Sequence, residues 1–240
     1  MFKTHKWFLT IIILMLSVFV YTPTCYGNSA EPPSILIIVS NAPDDLEISI
    51  KSGNEYIKAN KTDKVIETYY TFYSHEIRTA SNYTLKVSTE NSSFDVLLDQ
   101  PTKLYNNIFT FDLKNKTLAP GKLFSRSAFL VSLRTTLTLL IEAMVFWLFG
   151  FREKKSWIVF LIINLITQGA LNVWLNGSTP LESYVILTLL FGEILVFFIE
   201  TMALLTLITE HNRIRTFSYV ILANLLSLFA GGYIITILPV

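Results

Sequence analysis

The stretch Ser127–Gly150, SAFLVSLRTTLTLLIEAMVFWLFG, decides how the chain folds. It matches the ~20 apolar residues that a helix needs to cross a bilayer, yet it carries Glu142 deep inside. Three runs of the same kind follow, Trp157–Leu175, Tyr184–Thr209 and Phe217–Leu238. Asn164, Gln168 and Asn172 fall in the second, Glu193 and Glu200 in the third, and Asn224 in the fourth. A charged carboxylate turned toward lipid costs ~2.5–3.5 kcal/mol, so these side chains are expected to face one another. Residues 127–238 therefore predict a four-helix transmembrane bundle with a polar interior.

Spacing supports a shared inner face. Asn164, Gln168 and Asn172 recur every fourth residue and Glu193 and Glu200 lie two turns apart, so each set makes one helical stripe. At ~1.5 Å of rise per residue, Glu142, Asn164, Glu200 and Asn224 all lie about 10–13 Å in from the ends of their runs nearest the basic loops. Gln168, Asn172 and Glu193 form a second tier further along. In the last run Ala223, Ser227 and Gly231 make a small-residue face that lets another helix approach closely. Arg134 is expected to anchor at the interface, its guanidinium snorkelling to headgroups.

Loop charges set an orientation. Arg152, Lys154 and Lys155 follow the first run and His211, Arg213 and Arg215 follow the third, whereas Asn176–Pro180 holds no Lys or Arg. The positive-inside rule then places both basic loops in the cytoplasm. Trp147, Trp157 and Trp174 near run ends fit interfacial anchoring. The N-terminus agrees independently: Lys3 and Lys6 precede an apolar run from Trp7 to Val20, the layout of a secretory signal peptide over 1–27. Cleavage is expected after Gly27 or Ala30, against the alternative of an uncleaved anchor. Lipidation at Cys25 is disfavoured because Thr22-Pro23-Thr24 is not the apolar run expected before a lipidated cysteine. Cys25 is the sole cysteine, so the exported part is not a disulfide-stapled scaffold.

Residues 31–122 read differently. Leu46, Ile48 and Ile50 alternate with polar neighbours, as do Tyr83, Leu85 and Val87, Phe94, Val96 and Leu98, and Phe109, Phe111 and Leu113. Turn residues such as Gly53-Asn54 separate the runs. This pattern predicts an extracytoplasmic all-β, sandwich-like domain of half-buried antiparallel strands. Ile35–Val39 is a short apolar run and Val65–Tyr73 is β-branched and aromatic. Tyr69, Tyr70, Phe72 and Tyr73 read as core and edge aromatics rather than a binding platform. His75-Glu76 lacks zinc-motif spacing, and Asp44, Asp45 and Glu47 read as a solvated turn rather than a calcium loop. No cofactor or metal is implied.

Composition bounds the function classes. Hydrophobic residues make up 52% of the chain and mean hydropathy is +0.49, too apolar for one soluble domain. A net charge of +1 gives no clustered basic face for nucleic acid. The expected partners are the lipid bilayer and a protein or cell-wall component for the β-domain. Glu142 in its Thr136–Glu142 context, Phe149–Arg152 with Lys154–Trp157, Asn164–Gln168, the Glu193 and Glu200 pair, and Ala223-Asn224 with Ser227 together resemble an uncharacterised family of Gram-positive bacterial membrane proteins. The resemblance implies a signal peptide, a small β ectodomain, four C-terminal spans and a cell-envelope setting. It assigns a role to no residue.

Three functions remain open at this point. One is a non-enzymatic, partner-binding or accessory envelope protein. Another is a small proton or cation conductor built on Glu142, Glu193 and Glu200. An intramembrane hydrolase is the third, and no residue is nominated as catalytic. The four runs contain neither histidine nor cysteine, which removes the commonest zinc and nucleophile arrangements.

Overall fold

A computed structural model describes residues 31–77, 82–98 and 104–240. The expected signal peptide lies outside the described residues. Among the described residues nine strands come first: β1 Ser34–Ser40, β2 Glu47–Ser52, β3 Glu55–Lys58, β4 Asn60–Asp63, β5 Glu67–Tyr73, β6 Tyr83–Thr89, β7 Ser92–Leu98, β8 Asn106–Asp112 and β9 Thr117–Pro120. Helices follow as α1 Phe124–Leu148, α2 Lys154–Gly177, α3 Glu182–Leu207 and α4 Arg213–Ile237.

The strands form a five-stranded sheet, β4-β5-β1-β8-β9, and a four-stranded sheet, β3-β2-β6-β7. Ile35, Ile37, Tyr70, Phe72, Phe109 and Phe111 of the first sheet share one core with Ile48, Ile50, Leu85 and Val87 of the second and with Leu46 just before β2. The Tyr70 hydroxyl closes the layer by donating to Leu46 O across the sheets at 2.9 Å. Gly53 turns the β2–β3 hairpin with φ of 67°, a conformation that glycine adopts without steric cost. The sandwich follows the alternation in the sequence, with one exception to the expected antiparallel pairing: β1 runs parallel to β8, Ile37 opposite Phe109. Parallel neighbours arise in strands buried on both faces, which read as unbroken apolar runs, and Ile35–Val39 is such a run.

All four helices are long and apolar enough to cross a membrane. Each packs against its neighbours in sequence, and α1 packs against α4 to close the ring. The bundle is polar within and apolar without. Glu142 and Asn164 are fully buried, while Phe229 is 73% and Tyr233 69% exposed on the outside. The helices also start ahead of the apolar stretches, α4 at Arg213 rather than Phe217 and α1 at Phe124 rather than Ser127, while α1, α3 and α4 end one or two residues before them. Apolar length measures lipid thickness, not the end of the hydrogen-bonded helix.

The β-domain sits on one end of the bundle. Leu36, Ile38 and Tyr69, on the face of the five-stranded sheet away from the sandwich core, pack against Leu181 at the start of α3. Polar contacts frame this patch. Arg126 of α1 makes a buried, bidentate ion pair with Glu67 of β5, its Nε donating at 2.7 Å. The same guanidinium reaches Tyr69 Oη and Val240 O, and Val240 N donates to Tyr69 Oη at 3.2 Å. Lys122 Nζ donates to Asn176 O and Ser178 O at the end of α2, and Lys64 Nζ to Ile235 O and Thr236 O at the end of α4.

Candidate functional site

The seven polar residues singled out in the helical runs are all buried. Glu200 is the best satisfied: Thr167 Oγ1 donates to its Oε1 at 2.7 Å and Asn224 Nδ2 to its Oε2 at 2.8 Å, which joins α2, α3 and α4. Gln168 Nε2 donates to Glu142 Oε1 at 3.0 Å, tying α2 to α1. Gln168 and Ser227 flank both Glu142 and Glu193, and Glu142 lies within electrostatic reach of Glu193 and Glu200. The two expected tiers therefore merge into one polar core, with Gln168 bridging them.

Asn164 and Asn172 behave differently from the other amides. Asn164 Nδ2 donates back to Phe160 O at 2.8 Å within its own helix, and Asn164 Oδ1 has no partner among protein atoms. Asn172 Nδ2 likewise donates to Gln168 O, but its Oδ1 accepts from Arg134 Nε at 3.1 Å. This corrects the interfacial reading of Arg134. Its side chain is 2% exposed, points into the bundle, and also donates from Nη1 to Pro239 O at 2.7 Å. A guanidinium next to amide and carbonyl acceptors and near carboxylates gains more inside this core than a lone one would by reaching for headgroups. The sequence singles out Ser227 only for its small size and Thr167 not at all, because small hydroxyl residues are common in apolar helices; the signal for both as polar partners is their place three residues from Asn224 and Asn164 on the same stripes.

The end of the bundle far from the β-domain is closed by aromatic rings. Phe146 stacks on Phe151 at 4.2 Å and on Phe160 at 4.7 Å between ring centroids, and meets Tyr219 edge-on at 5.0 Å. Loops lock this plug from outside. Glu210 Oε1 accepts from the main-chain N–H groups of Arg152 and Glu153, which joins the α1–α2 and α3–α4 connections. Gly150 at φ 81° packs under Arg215, where a Cβ would lie 2.5 Å from its Nη2.

What this core can do chemically is limited by what surrounds it. Its carboxylates meet amides and hydroxyls, and among the described residues no thiol or imidazole is bonded to them. Among the described residues no three His, Cys, Asp or Glu side chains are placed to share a metal ion. A cavity of about 200 Å³ lies where the β-domain meets α3 and α4, lined by Asn60, Thr62, Lys64 and Tyr73 on one side and by Val185 and Ile235 on the other. No family model, curated protein or solved structure matches the chain.

Proposed function

We propose that the chain is a multi-pass cell-envelope membrane protein that displays its β-domain on the extracytoplasmic side as a rigid, non-enzymatic binding or accessory module. The docked domain carries this reading. A tethering spacer would need a free hinge, whereas here Arg126–Glu67, Lys122 and Lys64 fix the five-stranded sheet to three helix ends. The free outer face of the other sheet offers Lys51, Tyr56, Lys58, Lys86 and Asp95, a mixed polar surface suited to a protein or cell-wall partner rather than to lipid. The two basic loops and the N-terminal signal-like segment support the orientation, and the resemblance to Gram-positive envelope proteins belongs to the same reading.

In this account the polar core holds the bundle in register, each interhelical contact being worth ~0.6–2 kcal/mol. A second reading, a proton or cation conductor, draws on the linkage of Arg134, Asn172, Gln168, Glu142 and Glu200 through much of the bundle. Against it stands the stacked plug of Phe146, Phe151, Phe160 and Tyr219 at the far end. Purified protein in liposomes loaded with a pH-sensitive dye tests the two. The accessory reading expects proton permeability equal to that of protein-free liposomes. Flux above that level, lost in Glu200→Gln, would replace it with the conductor.

A further inference from the structure

Among all four helices lies a cavity of about 10 Å³ lined by Arg134, Glu193 and Gly231, with Thr138, Gln168 and Asn172 around them. Two of these side chains have unfinished hydrogen bonding. Arg134 uses Nε on Asn172 and Nη1 on Pro239, and its Nη2 has no partner among protein atoms. Glu193 Oε2 is in the same position as an acceptor. Both residues are buried, 2% and 5% exposed. The residues that carry this unpaired donor and this unpaired acceptor thus line one small space.

Charge and size together choose the occupant. A cation there would meet the Arg134 guanidinium, and an anion would meet the Glu193 carboxylate. A neutral molecule that donates and accepts at once suits both, and a space of this volume holds about one water. A buried water also needs two to four polar partners, which Arg134, Glu193 and the neighbouring hydroxyl and amides supply.

We propose that this cavity is a built site for a single water molecule that bridges Arg134 Nη2 to Glu193 Oε2. The bridge ties α1 to α3 across the bundle, a pair that no direct hydrogen bond between their side chains joins among the described residues. It also extends the polar core from Pro239 through Arg134 and the water to Glu193. The inference holds for either orientation in the membrane and for either reading of function.

Gly231 supplies the test. A Cβ at this position meets only the Leu189 side chain, at 3.6 and 4.0 Å, so the protein atoms accept Gly231→Ala while its methyl occupies the water's space. In a dry cavity that substitution fills a void and favours the helix, and Tm in detergent stays level or rises. With a bridging water the same methyl leaves Arg134 and Glu193 unpaired, and Tm falls by ~2–4 °C or more. Gly231→Ser, whose hydroxyl can stand in for the water, restores most of that loss. A double-mutant cycle gives an independent reading: Arg134→Met and Glu193→Gln are non-additive in the Gly231 protein and additive in Gly231→Ala. Gly231→Ala as stable as the unmodified chain, Gly231→Ser less stable than Gly231→Ala, or additivity in the Gly231 protein would each overturn the proposal.

Discussion

Glu67 shows how one residue couples the two halves of the molecule. It sits in β5 with its side chain on the sheet face turned to the bundle, where its carboxylate is 1% and the Arg126 side chain 8% exposed. A buried pair is weak evidence of stability as a pair, but losing one partner strands the other and costs ~3–5 kcal/mol. Arg126→Met is therefore expected to lower the Tm of the detergent-solubilised chain and to open the Gly121–Leu123 link to protease, and Arg126→Met with Glu67→Met to recover part of the loss. Equal stability of Arg126→Met and wild type would mean that the domains hold together without the pair. Lys122 adds a pH dependence at the same junction. Burial, reinforced by Arg126 and Arg134 nearby, pushes its ammonium down to about 7. In the unfolded chain it titrates near ~10.4. Across the window from about 7 upward to that value the unfolded chain binds the extra proton, so stability rises with pH there and is flat below it. Lys122→Met should flatten the rise in Tm between pH 7 and 10; a slope unchanged by the substitution would assign it to another group.

Among the elements, β1 and α2 are the instructive ones. Strand alternation made the sandwich legible, because Leu46, Ile48, Ile50, Leu85 and Val87 point one way and their polar neighbours the other. Docking was written in the exception. Ile35–Val39 does not alternate because Ile35, Ile37 and Val39 fill the sandwich while Leu36 and Ile38 cover the bundle end, and a run read alone does not say what its second face meets. Leu36→Ala is expected to cost ~2–5 kcal/mol and to loosen docking while the sandwich core remains; protease resistance of the bundle junction, compared with that of the sandwich strands, would check it. On α2 the stripe of Asn164, Gln168 and Asn172 was readable from spacing, but its bonding was not. A four-residue repeat puts amides on one face and leaves open whether each turns to a neighbouring helix or back to its own main chain, as Asn164 does. The structure departs from the interfacial expectation for Arg134 for a related reason: position along a helix gives depth, whereas the acceptors that draw a guanidinium inward, Asn172 and Pro239, come from distant parts of the chain. Glu200 tests the structural role of the stripe. Glu200→Gln keeps an acceptor for Asn224 and a partner for Thr167, so stability should change by less than ~1 kcal/mol. Glu200→Leu unpairs both and should cost ~1–3 kcal/mol for each, toward the lower end because both also bond main-chain oxygens of their own helices. Thermal unfolding in detergent separates the two substitutions.

At the scale of the whole molecule, a sandwich is fixed to the end of a polar-cored, aromatic-plugged four-helix bundle, and the proposed display of the β-domain depends on which way that assembly faces. If the bundle spans the membrane as its loop charges direct, the β-domain lies outside and the α1–α2 and α3–α4 loops lie inside. Single cysteines at the exposed positions Asn91, Lys155 and Arg213, in a chain with Cys25 replaced by Ser, put this directly to the test. In intact cells treated with a membrane-impermeant maleimide, the account predicts labelling at position 91 alone, with 155 and 213 labelled only after the cells are lysed. Labelling at 155 or 213 before lysis, or protection at 91, would contradict it.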